Sequence, residues 1–139
     1  MVKPLIAILA VLLTSTACSR QKTVDREKLR SELLSSISFA SETELFFERV
    51  MQGRITARFA EAHAEYLADE IEREANELRE AVPTRDIDPQ FKECKRQTEL
   101  LAHEVTASKT LVMDKPALAE VIQRIANIRQ ILQSTKSSL

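Results

Sequence analysis

His63 and His103 are the two imidazoles of the chain, and both stand among carboxylates: Glu61 and Glu65 beside the first, Glu99 and Glu104 beside the second. Imidazole with carboxylate is the ligand chemistry of zinc and di-iron centres, so a metal site is the first possibility to weigh. Di-iron helical bundles use Glu-x-x-His, because residues three apart on a helix reach one metal pair. Here Ala60 and Leu100 occupy the acidic position, so the pattern fails at both histidines. His103-Glu104 opens like His-Glu-x-x-His, but Ala107 stands where the second histidine belongs. Glu99 and His103, four apart, can meet on one helix face, where such a pair most often makes a surface hydrogen bond. Neither a metal nor a cofactor is expected.

Nucleophilic chemistry fares no better. Cys94 is the one cysteine besides Cys18, so there is no Cys-x-x-Cys redox pair, no haem-attachment motif and no disulfide framework. It shares the apolar side of a helix with Phe91 and Thr98, where a thiol acts as a small hydrophobe. A single glycine, Gly53, forbids a Gly-rich phosphate loop. With no nucleophile–base set and no paired acids, the chain is not read as an enzyme.

The residue with the most definite chemistry is Cys18. Lys3 precedes a ten-residue apolar run, Pro4 to Leu13, that as a helix would reach only about 15 Å, half of a bilayer core. That length suits the apolar region of a secretory signal and not a membrane span. The run leads through Thr14-Ser15-Thr16-Ala17 into Cys18. This stretch resembles the lipobox of bacterial lipoproteins, departing from it where Ser15 replaces the usual Leu. The resemblance covers the first 18 residues alone. It implies that residues 1–17 are removed and that Cys18 carries the lipid, with residues 18–24 as a short tether. Each buried acyl methylene would contribute about 0.8 kcal/mol, and more than one chain holds where a single chain lets go. Ser19 in place of Asp after the cysteine favours the outer membrane under enteric-type sorting. The implied location is the cell envelope, with the protein anchored by lipid and facing the periplasm.

What positions these residues is helical. The 139 residues contain one Gly, four Pro and 44% apolar side chains, with 20 basic and 21 acidic groups. So few breakers exclude an all-β domain, and the apolar content excludes disorder. The near balance of charge removes the electrostatic case for nucleic-acid binding. The expected fold is all-α: an antiparallel helical bundle, or a long helical hairpin with one very long helix, forming a single domain over 25–139. The helices are expected at about 25–40, 42–82, 90–113 and 116–134. Ser41-Glu42-Thr43-Glu44 fits a capping box that would separate the first two, although one apolar stripe keeps phase across it, so a single continuous helix over 25–82 is the alternative. A helix over 42–82 alone would extend about 60 Å. Pro83 to Pro89 reads as a loop, and Asp114-Lys115-Pro116 as the start of the last helix.

Two stripes follow from helical spacing. One includes Phe47, Met51, Phe59 and Tyr66 and is expected to be left in part for a protein partner. The other contains Gly53, Ala57, Ala60 and Ala64, a seam where a second helix of the same chain, or of a second copy, can approach closely. Residues 61–80 are acid-rich, whereas Arg49, Arg54 and Arg58 form a basic row. The plain meaning is a solvated face, and the sharper one is a polarised surface for a partner or for self-pairing. The chain is therefore expected to be a lipid-anchored, periplasm-facing binding or scaffolding protein. The alternatives are a binder of a small apolar or haem-like ligand within the bundle, near His63 or His103, and a small exclusion- or lysis-type lipoprotein.

Overall fold

Four helices carry most of residues 22–139, the part of the chain that this computed structural model describes. They are α1 (Arg26–Met51), α2 (Ala57–Glu80), α3 (Asp88–Ser108) and α4 (Lys115–Ser137). Among the described residues the protein is all-α apart from one parallel pairing of two-residue strands, β1 (Thr23–Val24) and β2 (Val82–Pro83). Cys18 and the apolar run before it lie outside the described residues. Among the described residues no helix is long and apolar enough to cross a membrane.

The helix boundaries follow from local chemistry. Asp25 caps α1 by accepting from the Lys28 amide at 2.8 Å. α1 then runs through Ser41 without a break, which corrects the capping-box reading. The hydroxyls of Ser41 and Thr43 instead bond back to the carbonyls of Ile37 and Phe39, four residues earlier. Glu44 reaches Arg129 on α4 and so is not turned back toward Ser41.

The real break is twelve residues later, at Gly53, and the helix expected over 42–82 is two helices. Gly53 takes φ +69°, a left-handed conformation that side chains with a Cβ resist. The Arg54 amide bonds to the Arg49 carbonyl at 3.1 Å, and that of Gly53 to Val50 at 2.9 Å. Those two bonds form a Schellman ending, which closes α1 on its own last carbonyls. Thr56 then opens α2, its hydroxyl facing the Phe59 amide at 3.4 Å.

The segment from Pro83 to Pro89 is shorter as a loop than its prolines suggest. Pro83 belongs to β2, residues Arg85–Ile87 form one 3₁₀ turn, and Pro89 already sits in the first turn of α3, where a missing amide costs nothing. α3 stops at Ser108 and not near 113. Asp114 caps α4 by accepting from Ala117 at 3.1 Å, with Pro116 in the first turn.

The core is built from Leu29, Leu33, Ala40 and Phe47 of α1, Leu67, Ile71 and Leu78 of α2, Leu101 and Val105 of α3, and Leu118, Ile125 and Leu132 of α4. α1 packs chiefly on α4 and α2 on α3, while α3 and α4 also adjoin; α1 and α2 touch each other more sparsely. Ion pairs cross these contacts: Arg129 with Glu44, Arg79 with Glu99 at 3.1 Å, and Arg124 with Glu104 at 3.0 Å. Solvent screens pairs at such wholly or partly exposed positions, so burial holds the fold and the pairs refine its register.

The tether expected over 18–24 is partly structured. The Val82 amide donates to the Lys22 carbonyl at 3.0 Å and the Thr84 amide to Val24 at 2.9 Å, while Pro83 between them needs no partner for an amide it lacks. Val24 is buried, and the Lys22 ammonium reaches Glu77 at 2.7 Å and Glu32 at 3.9 Å. The chain is thus fastened to the ends of α1 and α2 from Lys22 onward.

Candidate functional site

The α1–α2 turn decides which aromatic residues face solvent. Phe47 lies before it and is fully buried, so it is not available to a partner as its place on the stripe suggested. Met51 is partly buried against the core. Beyond the turn the chain resumes in a new direction, and Phe59 and Tyr66 emerge 56% and 54% exposed. The four-residue stripe is therefore split, because a stripe keeps its face only while one helix continues.

Phe59, His63 and Tyr66, at spacings of four and three on α2, form a stacked column. The Phe59 and His63 rings lie 5.6 Å apart at 13°, and His63 and Tyr66 5.8 Å apart at 26°. Phe46 of α1 meets the His63 ring edge-on at 4.7 Å. The Nε2 atom of His63 lies 3.7 Å from Oε1 of Glu42. Such aromatic contacts contribute about 0.5–1.5 kcal/mol beyond their area and hold the column in one orientation. Leu45, half exposed, stands beside it on α1. A groove of about 220 Å³ runs between the helices here, lined by Glu42, Leu45, Phe46, Arg49, Ile55, Phe59 and His63. On the other flank of α2 a wider depression of about 690 Å³ is bounded by Arg58, Glu61, Ala62, Glu65 and the 109–113 turn, whose Met113 is 69% exposed.

Charge completes the surface. Among the described residues Arg49, Arg54 and Arg58 hold no carboxylate, and neither Glu61 nor Asp69 holds a cation. By contrast Arg26, Arg73, Arg79, Arg96, Arg124 and Arg129 are each paired within the fold.

The seam of small residues divides in the same way. Ala60 and Ala64 are fully buried, but Ala57 is exposed and Gly53 belongs to the turn, with nothing within 4 Å of a Cβ built on it. A close-packing seam over all four residues does not form.

Cys94 lies in a buried polar pocket between α1, α2 and α3. Burial pushes its thiol up to about 12, so it is not poised as a thiolate nucleophile. Ser36 Oγ lies 2.8 Å from Thr98 Oγ1, and Thr98 donates to the Cys94 carbonyl at 2.9 Å. Glu74 accepts from Ser35 at 2.7 Å and from Ser36 at 3.2 Å. Burial raises the Glu74 carboxyl above its ordinary range, partly offset by those two hydroxyls. His103 is exposed on α3. No three His, Cys, Asp or Glu side chains converge to hold a metal among the described residues.

No known protein family, curated protein or solved structure matches this chain. The site therefore rests on its own geometry. Sequence reasoning singled out Phe59 and Tyr66 but missed Leu45, Met113 and the His63 stacking. The available signal was Gly53 followed by Thr56, a helix stop and a helix start three residues apart.

Proposed function

We propose that this chain is a lipid-anchored, periplasm-facing scaffold of antiparallel helices that binds a protein partner through the exposed aromatic face of α2. The observation that carries the reading is the solvent-facing Phe59–His63–Tyr66 column, with Leu45 beside it. Among the described residues, three of the seven large apolar side chains left exposed, Leu45, Phe59 and Tyr66, gather on this flank of the molecule, and such gathering marks interaction sites. Antiparallel packing is supported by cross-helix pairs: Arg79 with Glu99 and Lys109 with Glu65 join α2 to α3 with opposite sequence directions.

The anchor gives the patch its orientation. Lys22 lies against Glu77 near the end of α2, whereas Phe59 is in its first turn, about 27 Å away along the helix. Cys18 precedes Lys22 by four residues, so lipid on Cys18 would hold the aromatic face away from the bilayer, open to another envelope protein.

The test uses the full chain in cell envelopes, with a photoreactive amino acid at Tyr66 or, as control, at Ser137. A protein adduct from position 66 and none from 137 is expected. Absence of an adduct at 66, or equal adducts from both positions, would refute the interaction surface. Labelled palmitate entering the parent chain but not Cys18→Ala tests the anchor separately.

A further inference from the structure

The stretch that leads into α1 lies over one end of a polar row that runs into the core. Lys22 sets its ammonium 2.7 Å from Glu77 and 3.9 Å from Glu32, and Lys28 reaches Glu32 at 2.9 Å. One helical turn along stand Glu74, three residues before Glu77, and Ser35 and Ser36, three and four residues after Glu32. Both hydroxyls donate to Glu74, and Ser36 continues the row through Thr98 to Cys94. Glu32, Ser36, Thr98 and Cys94 are buried and Glu74 is half-buried, so the exposed end of the row is the Lys22–Glu77 pair. The backbone there is held by the amides of Val82 and Thr84, by the buried Val24 side chain and by an ion pair that solvent screens. Each helix, by contrast, buries a side chain at every turn. An element with so few buried contacts opens before the rest of a fold.

We infer that Lys22–Val24 is a strap that opens and closes over this row while the four helices stay folded, and that its opening is the route by which solvent reaches Cys94. Closure keeps the carboxylates of Glu32 and Glu74 away from water, a cost that opening returns. Lifting the strap takes the Lys22 ammonium from between Glu77 and Glu32, leaving Lys28 and Arg73 as cations beside them, and the three carboxylates then take up water. Val24 leaves its buried site in the same step, because β1 is two residues long. One consequence rests on the lipid anchor proposed above. Cys18 precedes Lys22 by four residues, so a pull on the lipid reaches the fold through this strap first, and opening frees three more residues, about 10 Å of further reach. The strap itself does not depend on the anchor.

The experiment follows alkylation of Cys94 by N-ethylmaleimide in the folded full chain, read by mass on the peptide containing Cys94 so that Cys18 does not contribute. In the parent the rate should stay flat in low urea, because opening a three-residue strap exposes little surface. Thr84→Pro removes the amide donated to Val24 at a position whose φ is already −68°, and should raise the rate roughly three- to tenfold. Thr56→Ala weakens the fold at the start of α2, away from the strap, and should leave the rate unchanged. Thr23 and Val82 are exposed register partners on strands about 4.8 Å apart. A disulfide between Thr23→Cys and Val82→Cys is therefore within bridging range and should slow alkylation at least tenfold until it is reduced. A rate that climbs with urea as steeply as unfolding, that answers Thr56→Ala as strongly as Thr84→Pro, or that ignores the disulfide overturns the strap. The same rates are expected in Cys18→Ala, so the strap is decided separately from the anchor, and from the interaction surface that the adduct at position 66 tests.

Discussion

Replacing Gly53 by alanine should destabilise the protein, although the same change inside a helix would stabilise it. Gly53 adopts φ +69°, and a Cβ built there meets nothing within 4 Å, so the effect comes from the backbone alone. An L-residue in that region costs about 1–2 kcal/mol. Reduced freedom of the unfolded chain returns about 0.4–1 kcal/mol. The expected net loss is therefore about 1 kcal/mol, which at a urea slope of roughly 2 kcal/mol/M moves the midpoint down by about 0.5 M. Gly53→Asn should lose only a few tenths of a kcal/mol, since Asn tolerates the left-handed region. If residues 42–82 were one continuous helix, alanine would gain about 0.8–1 kcal/mol over glycine instead. The two architectures predict opposite signs. Urea denaturation followed by circular dichroism reads the sign directly, and a Gly53→Ala chain more stable than its parent would refute the hairpin.

Two aromatic residues that look alike on the sequence stripe should behave oppositely. Phe47→Ala should cost about 3–5 kcal/mol by opening a cavity in the core, while Phe59→Ala should cost only the worth of its stacking on His63, about 0.5–1.5 kcal/mol; comparable losses in thermal melts would contradict the split stripe. Glu74 should make stability depend on acidity. Its raised carboxyl binds more protons folded than unfolded, so this group adds stability as pH falls through the raised value toward the ordinary 4.5. Glu77 works the other way: the hydrogen bond from Lys22 holds it below its ordinary range, and its contribution disappears as pH falls through that depressed value. Glu74→Gln should accordingly stabilise at pH 7, with an advantage that vanishes by about pH 4.5. An advantage equal at both pH values would rule out Glu74 as its source.

The helical class was legible because it depends on composition: one glycine and four prolines leave few places to stop. Asp114 with Pro116 was legible as a helix start because both effects are local to one turn. Ser41 to Glu44 misleads for a physical reason. A serine with a glutamate three residues on can cap a helix, but hydroxyls can equally satisfy themselves on carbonyls four residues back, and Arg129, far along the chain, draws Glu44 away. The β1–β2 pairing was illegible for a similar reason. Two residues of strand carry no periodicity, and their register is set by amides that Val82 and Thr84 donate to carbonyls sixty residues earlier in the sequence.

The candidate surface was half legible because its aromatic residues were visible but the turn that separates them was treated as helix. A stripe through Phe47, Met51, Phe59 and Tyr66 assumes one axis. With a Schellman ending at Gly53 there are two, and each aromatic takes the side that its own helix gives it. Turning back at Gly53 buries Phe47 and leaves α2 to settle on α3, because the α1–α2 contact is sparse; the groove between them then opens where Phe46, Phe59 and His63 meet. The exposed column and the break in the helix thus have a single cause. A chain forced straight at residue 53 would lose both the hairpin and the aromatic face proposed for a partner, whereas Thr56→Ala, which weakens only the cap of α2 by about 1 kcal/mol, should loosen the first turn around Phe59 and leave Tyr66 in place.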